Sequence, residues 1–176
     1  MFRATSSSLA VAAALLATPA LAATVRTELA RALPEGAGAA VGTVSVSDSP
    51  KGAVIALDLK GLPPGQHGLH LHQNASCAVG PGPDGKPIPA GAAGGHWDPA
   101  QSGHHLGPEG QGHMGDLPRV DVGPDGSVKT SLVAPRITDV SVLKGHALML
   151  HAGGDTYADT PPLGGGGGRF ACGVLN

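Results

Sequence analysis

Apolar and polar residues alternate with a period of two along much of this chain. Val44 and Val46 alternate with Thr43, Ser45 and Ser47, which predicts a strand with one wet face. Val54-Ile55-Ala56-Leu57 is more continuously apolar, and its facing stays open. The same kind of patterning predicts strands at Thr24–Ala32, Gly42–Ser47, Val54–Leu59, Gly68–His72, Pro118–Val122, Val128–Val133, His146–His151 and Arg169–Val174. Turn signals separate them: Pro50-Lys51-Gly52, Pro63-Pro64-Gly65 and Pro124-Asp125-Gly126. The last of these predicts a hairpin between Val122 and Val128. Two intervals are too long for hairpins, Gln73 to Leu117 and Ala152 to Gly168. Loops of that length in a compact domain are usually functional or disordered. No long amphipathic helix and no internal repeat is evident. Eight short strands and two large loops predict an antiparallel barrel or sandwich with Greek-key connections.

Composition refines this picture in three ways. Aromatic residues are only 2%, so the core must be built from Val, Leu, Ile and Ala. Arg3, the apolar run Leu9 to Leu16 and the small-x-small site Ala20-Leu21-Ala22 read as a cleaved signal peptide over residues 1–22. Residues 23–176 then form one domain. Net charge is −2, with no basic stripe and no polybasic patch, so neither nucleic acid nor a membrane is an expected partner. In an exported chain, Cys77 and Cys172 invite one disulfide between a long loop and the last strand. Closing so long a loop would stabilise the fold by about 4–5 kcal/mol in the chain-entropy picture.

The chemistry lies in six histidines and one acid: His70, His72, His96, His105, His113, His151 and Asp116. His70 and His72 stand two apart in a strand, so both imidazoles leave one face. His105, His113 and Asp116 offer two imidazoles and a carboxylate, and with one more imidazole this makes a four-coordinate set suited to zinc. His70, His72 and His151 are all imidazole, a donor set that holds copper in either oxidation state without excluding zinc. His96 falls between the two groups. An imidazole that gives up its proton binds one metal through each nitrogen and would join them.

Five runs carry a family resemblance: Gly68-Leu69-His70-Leu71-His72, Gly94-Gly95-His96-Trp97-Asp98-Pro99, His105-Leu106-Gly107-Pro108, Gly112-His113-Met114-Gly115-Asp116-Leu117-Pro118, and Gly164 to Gly168 followed by Arg169-Phe170-Ala171-Cys172-Gly173-Val174. In this order and spacing they resemble the exported bacterial copper,zinc superoxide dismutases, over nearly all of the chain past the signal. The resemblance implies an all-β fold, an eight-stranded flattened Greek-key β-barrel (an immunoglobulin-like sandwich) with two long functional loops. It implies one copper ion held by His70, His72, His96 and His151. One zinc ion would be held by His96, His105, His113 and Asp116, with His96 as the bridge. Asp155 matches the acid that links ligands of the two metals, Arg169 the arginine beside copper, and Cys77 with Cys172 the intrasubunit disulfide.

The implied reaction is dismutation of superoxide to O₂ and hydrogen peroxide in the periplasm, with His96 and Arg169 as catalytic residues. Lys86, in the disulfide loop, would add to steering of the anion. Trp97 stands where Tyr, Phe or Leu is more usual in that family. His67, His104 and His146 are left over and read as exposed, non-ligand histidines. His105 is preferred to His104 because the family's ligand precedes a Gly-Pro pair by two residues. Monomers and homodimers both occur in the family. Two other functions compete: a periplasmic copper-sequestering protein without turnover, and a purely structural zinc domain. Arg169 and the bridge argue against the first, the all-imidazole set against the second.

Overall fold

The computed structural model describes residues 23–176, so the expected signal peptide at residues 1–22 lies outside them. Eleven strands follow one another. They are β1 (Thr24–Leu33), β2 (Gly36–Ser47), β3 (Ala53–Leu59), β4 (Gly65–His67), β5 (Leu69–His72), β6 (Gly80–Pro81), β7 (Pro87–Ile88), β8 (Val120–Val122), β9 (Val128–Ala134), β10 (Ala147–His151) and β11 (Arg169–Val174). Among the described residues three short 3₁₀ turns lie between them, at Gly91–Ala93, Val140–Leu143 and Pro162–Gly165.

Seven strands form one antiparallel sheet in the order β5-β10-β11-β1-β2-β3-β9, and β4 pairs with β8. Because β4 runs into β5 and β8 precedes β9, this small pair joins the two edges of the curled sheet. The result is the expected flattened Greek-key barrel. Its interior is aliphatic: Leu29, Val44, Val46, Ile55, Leu57, Leu59, Leu69, Leu71, Leu148 and Leu150 belong to one buried cluster. Burying each such side chain contributes roughly 1.5–3 kcal/mol, which lets a core with almost no aromatics hold.

Two expectations change. Strand β2 begins at Gly36, not Gly42, because the Gly/Ala run 36–40 pairs with β1 although it carries no β-branched signal. The hairpin expected across Pro124-Asp125-Gly126 does not form. The turn is closed by Gly123 N–H on the Ser127 carbonyl, but β8 pairs with β4 and β9 with β3. The Asp-Gly signal reports the turn; the partners of its flanks are set by distant strands.

Candidate metal centre

Strand β5 places the first two imidazoles. Leu69 and Leu71 point into the core, so His70 and His72 project together from the opposite face. On β10, Met149 lies opposite His70 and Ala147 opposite His72, and a bulge after Leu150 sets His151 beside them. The long loop 73–119 then lies along β5. Backbone bridges pair His72 with His96 and His70 with Asp116. Trp97 N–H donates to the Leu71 carbonyl and Leu71 N–H to the Gly115 carbonyl, at 2.8 and 2.9 Å. The Cys77–Cys172 disulfide ties the same loop to β11, with Cα atoms 5.7 Å apart.

Two four-residue groups of ligand atoms result, sharing one residue, and a third set, His70, His105 and Asp155, is joined by hydrogen bonds. His70, His72, His96 and His151 form one, His96, His105, His113 and Asp116 the other, and within each group the atoms lie within 4.8 Å of one another. The His96 ring centroid is 4.0 to 5.9 Å from those of His70, His72, His105, His113 and His151.

The hydrogen bonds fix which nitrogen faces inward. His72 Nδ1 lies 2.9 Å from the Gly94 carbonyl and His151 Nδ1 3.3 Å from that of Gly167. Carbonyls only accept, so both Nδ1 atoms carry the proton and both Nε2 atoms present lone pairs. Those two Nε2 atoms face each other at 3.3 Å. Two acceptors that close need a cation between them. In the same way His70 Nε2 and His105 Nε2 donate to Asp155 Oδ2 and Oδ1, at 2.7 and 2.8 Å, which turns His70 Nδ1 inward and His105 Nδ1 towards Asp116 Oδ1, 3.0 Å away. Among the described residues, His70 Nδ1, His96 Nε2 and His105 Nδ1 are buried side-chain atoms without a hydrogen-bond partner. Buried atoms of this kind are rare, and bound cations would satisfy all three.

The spacing in the second group fits a four-coordinate site. Nδ1 of His96, His105 and His113 lie 3.0, 3.0 and 3.3 Å from one oxygen, Asp116 Oδ1. Ligands about 2.0–2.1 Å from a tetrahedral zinc would stand about 3.3 Å apart. The donor sets therefore fit zinc at the carboxylate-containing group and copper at the all-imidazole group.

Burial polarises the site. It pushes His72 down to about 3 and His96 to about 4 from an ordinary 6.5, and it lowers His70 and His151 as well. Burial would also lower His105, but the carboxylates of Asp116 and Asp155 outweigh it and raise it to about 9. Both carboxylates are themselves held ionised, since bonds from His105 with His96 or His70 overcome their burial.

The all-imidazole group borders a cavity. This cavity, of about 300 Å³, is lined by His72, His96, His151 and Arg169, with Pro83, Ile88, Pro89 and Leu163 at its walls. Arg169 starts β11, and its guanidinium donates to the carbonyls of Ala90 and Gly94. In the other group His105 and Asp116 are 1% and 2% exposed, and His113, at 9%, is the most exposed of the ligand candidates. Lys86 stands on the disulfide loop, fully in solvent and 3.3 Å from Asp84, so part of its charge is offset. The glycine run serves packing: a Cβ at Gly164, where φ is +69°, would sit 2.1 Å from Asp155 Oδ1 and 2.7 Å from His105 Nε2.

The leftover histidines correct the expectation of exposure in part. His104 is exposed and outside both groups, bonded to Asp159, whose other oxygen accepts from His105 N–H. His67 is 2% exposed, and its two nitrogens reach the carbonyls of His151 and Pro63, each at 2.8 Å. His146 is half-buried; its Nδ1 lies 3.0 Å from the His72 carbonyl and its ring 4.7 Å from that of Trp97. Trp97 is partly buried and packs against the main core cluster. Sequence reasoning missed both bracing histidines, although their positions just before the strands that carry ligand candidates were a signal.

Residues 40–175 match the family model described as copper/zinc superoxide dismutase (SODC). A protein of Brucella abortus named superoxide dismutase [Cu-Zn] is 52% identical over 162 residues, covering 92% of this chain and 93% of its own. Among solved structures, a Cu/Zn superoxide dismutase from Brucella abortus is 51% identical with a TM-score of 0.84, covering 88% of this chain and all of that one. A monomeric copper, zinc superoxide dismutase from Salmonella enterica is 45% identical with a TM-score of 0.77, at the same coverage. The barrel, the paired donor sets and these likenesses together make this chain a member of the copper/zinc superoxide dismutase family.

Proposed function

We propose that this chain converts two superoxide anions and two protons into O₂ and hydrogen peroxide, using one copper and one zinc ion per subunit. The observation that carries the reading is His96: one ring nitrogen, Nδ1, faces the carboxylate-containing group, and the other is a buried orphan in the all-imidazole group. When bound, copper at His70, His72, His96 and His151 supplies one-electron exchange with superoxide, and zinc at His96, His105, His113 and Asp116 supplies a fixed positive charge.

The chain's own residues do the rest. Arg169 attracts the anion into the channel and orients it by hydrogen bonds, its guanidinium held flat by two carbonyls. His96 Nε2 is the atom that takes up a proton and returns it to the departing peroxide. The apolar walls Pro83, Ile88, Pro89 and Leu163 narrow the approach to a small anion. Asp155 holds His70 and His105 in their tautomers. Lys86 adds a weaker long-range attraction, reduced by Asp84.

We further propose that the chain works in the periplasm after export and removal of residues 1–22. The Cys77–Cys172 disulfide supports this, since such bonds persist in oxidising compartments. All ligand candidates come from one chain, so activity is expected of a monomer and of a homodimer alike.

The test is reconstitution of the protein with both metals, followed by its visible spectrum and superoxide-dependent dye reduction. Copper absorption together with catalysed superoxide loss is expected. Copper absorption without acceleration would leave a copper-sequestering protein.

A further inference from the structure

Asp155 divides its two carboxylate oxygens between His70 and His105, so any rotation of the group strengthens one bond only by lengthening the other. It stands in the loop 152–168, outside every strand ladder. Two residues that belong to neither ligand group hold it. Tyr157 N–H donates to Asp155 Oδ1 at 2.8 Å. Tyr157 does so with φ at +58°, a left-handed conformation that costs about 1–3 kcal/mol in a residue with a side chain. Its ring packs on Gly107, two residues past His105, where a Cβ would come 2.6 Å from the ring.

Arg119 closes the arrangement, three residues past Asp116. Its backbone N–H donates to the Tyr157 hydroxyl at 2.8 Å, and its Nη1 donates to the backbone carbonyl of Asp155 at 3.1 Å. The guanidinium also lies 5.2 Å from the centre of the Tyr157 ring. Three separate segments, 105–107, 116–119 and 155–157, are therefore joined at one tyrosine.

We propose that Tyr157 and Arg119 form a clasp that fixes Asp155 and, through it, the orientation of His70 and His105. They are positioning residues for both halves of the metal centre. The clasp rests on the ligand assignment under Proposed function. It explains why a tyrosine is held in a left-handed turn beside an acid already satisfied by two rings: the turn is what aims the Tyr157 N–H at Oδ1 while its hydroxyl reaches the other loop.

The test is the rate of zinc release from the fully metallated protein to an excess of chelator. Tyr157→Phe and Arg119→Ala are each expected to speed release about three- to tenfold, less than the about 10- to 100-fold typical of losing a direct outer partner such as Asp155. In an Asp155→Asn background neither change should add to the rate, because the group it acts through is gone. The Cu²⁺ electron paramagnetic resonance spectrum should shift in both single variants, since His70 hangs on the same carboxylate, and Arg119→Lys should restore part of it. Release rates within about twofold of the parent, or an equal acceleration in the Asp155→Asn background, would overturn the clasp. A parent protein that fails to hold zinc against the chelator would overturn the ligand assignment, and the clasp with it. A parent that holds zinc while the variants match it would overturn the clasp alone.

Discussion

Arg169 and His72 hang on the same acceptor, the carbonyl oxygen of Gly94. The guanidinium proposed to attract the anion and a candidate copper ligand are thus registered by one peptide unit of the disulfide loop. Arg169→Ala should lower the rate with superoxide about 10- to 100-fold and weaken inhibition by small anions, with Arg169→Lys in between. The rate should also lose most of its dependence on ionic strength, whereas Lys86→Ala should change that dependence only slightly. Rapid kinetics over a salt series checks both. An Arg169→Ala protein unchanged in rate and in anion inhibition at matched salt would remove the assigned role.

His67 lies between the buried carbonyl of His151 and the part-buried carbonyl of Pro63, and removing the ring deprives one of them of its N–H donor. His67→Ala should therefore destabilise the metal-free protein by about 1–3 kcal/mol, the cost of one buried group left unsatisfied. Urea unfolding under chelation measures it. A loss under about 0.5 kcal/mol, the size of an ordinary surface change, would contradict the buried role.

Gly164→Ala tests whether the glycine run serves the zinc half of the centre. The new Cβ would land on Asp155 and His105 in a left-handed backbone. Zinc affinity should fall about 10-fold or more. Gly61→Ala is the control, since Gly61 shares φ +69° but has nothing within 4 Å of the added atom. Equal losses in both variants would point to backbone strain in place of the collision.

The metal-free protein should be most stable near neutral pH. His72 and His96 titrate near 3 and 4 when folded, below their ordinary 6.5, because burial penalises the charged rings. The unfolded chain then binds more protons below about pH 6.5, so their contribution, present above that value, is lost on acidification. His105 has the opposite sign. Burial alone would lower it, but Asp116 and Asp155 raise it to about 9, so its contribution is present below 6.5 and lost as pH climbs towards 9. Thermal unfolding of chelated protein from pH 4 to 9 should trace a dome. A midpoint that rises steadily as pH falls to 4 would contradict the burial argument.

Much of this molecule can be read along the chain. Alternation at Leu69-His70-Leu71-His72 sends leucines inward and histidines outward wherever the strand is placed, because successive side chains of an extended backbone take opposite faces. Ligand types, the two loops and the two cysteines were likewise legible, since each is a property of local residue identity and spacing. The hairpin at Pro124-Asp125-Gly126 marks where that legibility ends: the turn is local, but its strands pair with β3 and β4.

Tertiary structure alone decided which ring nitrogen faces which group, because each tautomer depends on an acceptor brought from far along the chain, such as Asp155 for His70 or Gly94 for His72. It also decided that His67 is buried and His104 is not, and that Tyr157 and Arg119 meet at Asp155. Identity fixes what a side chain is able to bind. Burial and orientation are set by partners that only the closed barrel and its folded loops bring within hydrogen-bond reach.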